Sequence, residues 1–131
     1  MGISLRLPTA YVDRHIDAPP ATVWRLLVDI REWSGWGPSV RGAVLDGGGS
    51  QLRAGARGTV LTVVGLRLPF IVTEFDPGRR WTWTVAGVPA TGHQVDETAS
   101  GCLVRFEVPW WAMAYLPVCA AALGRIDRLA G

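Results

Sequence analysis

The chain has no lysine: all 13 basic residues among its 131 are arginines. Without a side-chain amine there is no Schiff-base chemistry on a carbonyl substrate, and no Walker-type lysine on a nucleotide phosphate. Charge is sparse as well, at 18% of residues with a net value of +2. The arginines are scattered from Arg6 to Arg128, and only Arg79 and Arg80 are adjacent. A nucleic-acid binder gathers its cations on one face, so no nucleic-acid partner is expected. The two cysteines, Cys102 and Cys119, lack CxxC spacing. They read as reduced, buried thiols rather than a disulfide framework. The two histidines, His15 and His93, lie far apart, and no metal-ligand spacing surrounds either. No GxSxG, HExxH or helix-opening GxGxxG occurs. Neither a metal nor a cofactor is expected. The first twenty residues lack the apolar run of a signal peptide, so the expected location is cytoplasmic.

Long hydrophobic runs are also missing, with one partial exception. Residues 109–124, PWWAMAYLPVCAAALG, carry no charge over sixteen positions. A membrane-spanning helix needs about 20 apolar residues. Here Pro117 interrupts the run and Arg125, Asp127 and Arg128 close it, so no stable membrane insertion is expected. The segment reads instead as a buried element.

Hydrophobic residues make up 49% of the chain, enough for one closed core and a single domain over residues 1–131. Tyr11–Ile16 alternates as a first strand. DAPPATVWRLLVDI then opens a helix, with proline tolerated in the first turn and Val23, Trp24, Leu27 and Ile30 at helical spacing on the buried face. REWSGWGPSV predicts a short second helix or a turn. Beyond it, short strands alternate with turn chemistry: SVRGAVLD, GTVLTVVG, a turn at LRLP, FIVTEF, RWTWTV, TGHQVDE and CLVRFEV. No helix-length segment intervenes, so the strands form an antiparallel meander. In RWTWTV, Trp81, Trp83 and Val85 share one face; in CLVRFEV, Cys102, Val104, Phe106 and Val108 do. A sheet with one apolar face must cover it. The final element, Trp110 to Ala130 with a kink or late start at Pro117, is the expected cover.

This element order is that of the α+β helix-grip fold, a curved sheet of about seven strands around a long C-terminal helix. The sequence resembles the polyketide cyclase/dehydrase and lipid-transport family of the START-like (SRPBCC, Bet v 1-like) superfamily. The resemblance is carried by IDAPPATVWRLLVDIREWSGWGPSV at 16–40, GARGTV at 55–60, FDPGRRWTW at 75–83 and His93 in the strand before CLVRFEV. It implies a cavity between sheet and helix that takes a lipid, a polyketide, a quinone or a similar apolar molecule. The alanine-rich C-terminal segment is expected to give a shorter or slimmer helix than that family's, which enlarges the cavity or leaves one end open.

Seven tryptophans supply the candidate walls. Trp24 and Trp33 read as core. Trp36, between glycines, is placed at the cavity mouth. Trp81 and Trp83 point inward from mid-sheet, as core or as pocket wall. Phe70, Phe106 and Tyr115 complete the expected ligand-binding set. His93 reads first as a satisfied core group, with a polar ligand contact or a general base as its functional alternative. Tyr115 is the one phenol of the apolar segment and needs a hydrogen-bond partner. Arg67, in an expected turn, and Glu74 are further candidates; the buried face of residues 68–76 is ambiguous between Phe70/Val72/Glu74 and Ile71/Phe75. The expected function is to carry or sense a small hydrophobic ligand, with a homodimer left open. The alternative is a cyclase/dehydrase-type enzyme with His93 and Tyr115 as acid/base groups. A weaker third reading is an interaction module or a peripheral membrane protein using PWWAMAYLP.

Overall fold

The structure, a computed structural model, describes residues 9–131; residues 1–8, part of the stretch read for a signal peptide, lie outside it. Seven strands form one antiparallel sheet: β1 Thr9–Ile16, β2 Val40–Leu45, β3 Arg57–Thr62, β4 Arg67–Asp76, β5 Arg80–Val85, β6 Val88–Thr98 and β7 Gly101–Pro109. Their order is β1-β7-β6-β5-β4-β3-β2, a meander whose last strand pairs with the first. The helices α1 Pro20–Val28 and α2 Trp33–Trp36 separate β1 from β2, and α3 Leu116–Ala130 closes the chain. This is the expected helix-grip architecture. His15 and His93, far apart in the sequence, lie on strands β1 and β6, which are separated by β7 alone.

Strand β4 runs longer than its sequence signal. LRLP, expected as a turn, begins β4: Pro69 pairs with Thr59, and its carbonyl accepts from the Ala86 N–H at 2.7 Å. Proline lacks a donor but keeps its acceptor, which is the group used here. Further along β4 the register shifts between Val72 and Glu74. Such a bulge moves later residues to the opposite face. Phe70 and Val72 are therefore buried, Phe75 joins the inner side against the Trp24 ring at 5.7 Å, and Glu74 turns outward to Arg80 at 2.9 Å. Each of the two competing faces holds for half the strand.

Helix α1 starts on Pro20 and buries Val23, Leu26, Leu27 and Val28; Trp24, expected in the core, is only half-buried. The last carbonyls of a helix have no partner within it. At α1 two tryptophans satisfy them: the Trp33 indole N–H donates to Leu27 O at 2.9 Å, and that of Trp36 to Leu26 O at 2.8 Å. The buried carboxylate of Asp29 holds the intervening turn, accepting from the Arg31 backbone N–H at 3.0 Å and from its guanidinium at 2.7 Å. These bonds deliver both indoles into the interior.

The C-terminal cover is shorter than the uncharged segment suggested. Residues 110–115 form a 3₁₀ stretch, non-helical at Ala112, and none of its side chains is buried. The helix proper begins at Leu116, with Pro117 in its first turn. Its inner face is Cys119, Ala122, Leu123 and Ile126, the i, i+3, i+4, i+7 stripe of an amphipathic helix. Arg14 of β1 pins it through Asp127 at 2.7 Å.

Phe70 lies folded across the backbone of Gly58, its cross-strand partner. A Cβ at residue 58 would sit 2.2 Å from Val44 O and 2.8 Å from the Phe70 ring. Gly58→Ala is therefore expected to destabilise the protein by about 2–3 kcal/mol, the upper part of the overpacking range, as read from the urea midpoint.

Candidate functional site

Between sheet and α3 the interior is largely occupied by stacked rings. Trp33 lies parallel to Trp81, 5.7 Å between centroids and 6° between planes, and His93 stacks on Trp81 at 3.9 Å. Trp83 meets Trp33 edge-on at 5.3 Å and Phe70 at 5.4 Å. Trp36 meets Phe106 edge-on at 5.7 Å, and Phe106 meets His93 at 4.8 Å. The slim inner face of α3 does leave room, but tryptophan fills it. An inner cavity of about 50 Å³ survives, bordered by Trp36, Trp81, His93, Phe106, Cys119 and Ala122. That volume admits a few waters at most, since one water needs roughly 10–15 Å³ of such space.

The larger space lies outward. An apolar cleft of about 330 Å³ opens between the ends of the strands and the 3₁₀ stretch, walled by Val60, Leu68, Val85, Pro89, Val108 and Trp111. It reaches the range of roughly 300–1,000 Å³ typical of small-molecule sites. Ser39, Val40, Trp83, Thr91 and Tyr115 border both spaces and form the partition between them. The Tyr115 hydroxyl meets Ser39 Oγ at 2.6 Å across it.

The seven residues expected to bind a ligand therefore separate. Trp83 and Tyr115 reach both spaces, Trp36, Trp81, His93 and Phe106 border the inner one alone, and Phe70 borders neither. Trp36, placed at the mouth from sequence, is buried. Arg67 starts β4 as an exposed residue, and Glu74 faces outward; neither lines the cavity or the cleft. Thr91 and Ser39 were missed, as was Trp111 as a wall. Thr91 had a usable signal: it stands two residues before His93 on the same strand face.

The polar chain in the partition has one direction. His93 is 2% exposed, and burial pushes its pKa down to about 3 against the opposing pull of the Trp81 carbonyl, with Arg80 adding a small like-charge push. The ring is neutral. A carbonyl only accepts, so the contact of Nδ1 with Trp81 O at 3.2 Å places the proton on Nδ1. Bare Nε2 must then accept from the Thr91 hydroxyl at 2.8 Å, and that oxygen accepts from the Trp83 indole N–H at 3.0 Å. Thr91 has spent its proton and retains one acceptor position. Among the described residues the Trp81 Nε1–H is a buried donor without a partner. Cys119, against the inner cavity, has its thiol pushed up to about 11 by burial and is no nucleophile near neutral pH. Among the described residues no group of three or more His, Cys, Asp or Glu side chains gathers as a metal site. No helix among them is long and apolar enough to cross a membrane.

Comparison with known proteins matches this geometry to a fold. No curated protein matches the sequence. A crystal structure of a Mesorhizobium loti protein superposes with a TM-score of 0.74 at 17% identity, covering 93% of this chain and 96% of that one. A solution structure from Bacillus halodurans gives 0.74 at 11% identity, over 96% of this chain and 99% of that one. An AHSA1-like protein from Aeromonas hydrophila gives 0.69 at 14%, over 95% and 94%. These likenesses show the fold. The family model for polyketide cyclase / dehydrase and lipid transport matches residues 8–128. Nearly the whole chain, from β1 to the last turn of α3, thus carries that family's pattern, and the protein belongs to the polyketide cyclase/dehydrase and lipid-transport family.

Proposed function

We propose that the protein, acting as one domain over residues 1–131, carries or senses a small hydrophobic ligand of the lipid, polyketide or quinone class, and that the ligand sits in the outer cleft. The observation that carries this reading is the contrast in volume: about 330 Å³ outside the partition against about 50 Å³ inside it. Among the described residues no charged side chain lines the cleft. Trp83, Trp111 and Tyr115 supply flat walls on which a ring or acyl chain packs, and Thr91 supplies an acceptor for a ligand hydroxyl or N–H. His93 contributes indirectly, by fixing the Thr91 hydroxyl. One chain supplies each of these walls. Two unbridged cysteines support a reducing, cytoplasmic setting.

A cyclase or dehydrase activity draws no support from this arrangement. The free nitrogen of His93 faces Thr91 rather than the cleft, and the Tyr115 hydroxyl is engaged by Ser39. A base with a pKa about 3 is also a poor proton acceptor near neutrality.

The test is titration of intrinsic tryptophan emission with fatty acids, quinones, flavonoids and aromatic polyketides. One class is expected to give a saturable change. Ala90→Phe, a bulkier side chain at a position that lines the cleft, is expected to weaken that response by about tenfold or more while the far-UV spectrum is unchanged. A flat response across the panel overturns the reading.

A further inference from the structure

Most of the large hydrophobic side chains left in water stand at one end of the molecule. Antiparallel pairing brings the end of β3 and start of β4, the end of β5 and start of β6, and the end of β7 to the same edge. The connection after β3 exposes Val64 at 76% and Leu66 at 57%, and Val88 follows the β5–β6 turn at 47%. The 3₁₀ stretch after β7 adds Trp110 at 47%, Trp111 at 52% and Met113 at 57%. Segments 62–68, 85–90 and 109–117 are the ones that frame the mouth of the outer cleft. An exposed apolar surface of this extent marks an interaction site rather than ordinary surface.

The charges at this end choose the partner. Segments 37–41, 62–68, 85–90 and 109–117 contain no Asp or Glu. They contain two arginines, Arg41 and Arg67, both exposed, and neither takes part in an ion pair among the described residues. A second copy docked end to end would set arginine against arginine with no carboxylate to receive them. An anionic lipid surface offers the complementary charge, and tryptophan is the side chain that favours the boundary between headgroups and acyl chains.

We propose that this end docks reversibly on an anionic bilayer surface, with Trp110, Met113 and the Val64–Leu66 loop entering the interface and Arg41 and Arg67 meeting the headgroups. The cleft mouth then faces the membrane, so an apolar ligand passes between lipid and protein without crossing water. Docking is peripheral, because the inserted elements are side chains on loops and not a spanning segment.

Co-flotation with vesicles tests it. The full chain is expected to float with phosphatidylcholine vesicles containing roughly a third phosphatidylglycerol, several-fold more than with phosphatidylcholine alone, and less at high salt. The Trp110→Ser/Met113→Ser double variant is expected to lose about tenfold or more in partitioning. Arg41→Glu/Arg67→Glu should lose the preference for anionic lipid, and Val44→Ser, exposed at the far end of β2, should match the parent. None of Trp110, Met113, Arg41 or Arg67 lines the cleft, so small-molecule titration of the same variants separates this proposal from the ligand-binding one. No flotation with either vesicle, or undiminished flotation of the double variant, overturns it. So does a dimer in sedimentation velocity that Trp110→Ser/Met113→Ser dissociates, which would assign this face to a second copy.

Discussion

Between about pH 7 and pH 4.5 the protein is expected to lose roughly 2–3 kcal/mol of folding stability through His93 alone. In the unfolded chain the imidazole titrates near 6.5, whereas in the fold burial holds it down to about 3. The folded-state value is depressed, so below 6.5 the unfolded state binds a proton that the folded state refuses. Stability is complete above pH 6.5 and falls continuously until the folded pKa is reached, by roughly 1.4 kcal/mol per pH unit. Trp81 and Phe106 pack against the ring, and its contacts to the Trp81 carbonyl and Thr91 hydroxyl are already satisfied by the neutral form. His93→Gln keeps a polar neutral group in place and is expected to flatten the slope between pH 6.5 and 4.5, whatever it does to stability at pH 7. Urea midpoints for both proteins across that window are the measurement. Equal slopes would mean that His93 is not held neutral. Asp29 does not confuse the window: the Arg31 side chain holds its carboxyl below 3.8, so its contribution is present throughout and lost only at lower pH.

Thr91→Val is expected to cost about 2–4 kcal/mol although it changes shape hardly at all. The whole hydroxyl disappears: its proton, which bonds His93 Nε2, the lone pair that accepts from the Trp83 indole, and the second lone pair left free. His93 is buried, so its unpaired Nε2 bears most of the loss; Trp83 is half-buried and recovers part of its own. Thr91→Ser retains both bonds and should cost about 1 kcal/mol or less. The pair separates packing from hydrogen bonding, and it bears on the ligand too. A ligand that donates to the remaining Thr91 lone pair should bind Thr91→Ser nearly as well as the parent and Thr91→Val worse. If Val and Ser variants are equally stable, the polar chain carries no weight in the fold.

His93 and Thr91 also show how far the sequence can be read. The two-residue period of TGHQVDE puts them on one strand face, yet only His93 was singled out from it, and the satisfied, buried histidine was its first reading. The proton's location was not legible, because it depends on the Trp81 carbonyl of the neighbouring strand. The ambiguity at 68–76 had a similar cause: a bulge at Thr73 changes the face midway, and no local signal marks where an extra residue is inserted. The segment PWWAMAYLP looked like cover from its composition, yet composition does not distinguish an apolar side chain packed on a sheet from one left at a rim.

By itself the sequence determined the architecture. Strand alternation, glycine turns, Pro20 and Pro117 at helix starts, and an apolar helical stripe are local constraints, and together they admit one order of elements. Only the tertiary structure decided where a ligand can go. Trp33, Trp81 and Phe106 come from distant parts of the chain, and whether their rings fill the interior or line it depends on how closely they stack. With Trp36 and His93 between them they pack face-on and edge-on, which leaves little space at the centre and moves the usable space outward to the cleft. Periodicity specifies which way a side chain points; packing specifies what volume remains once all of them have arrived.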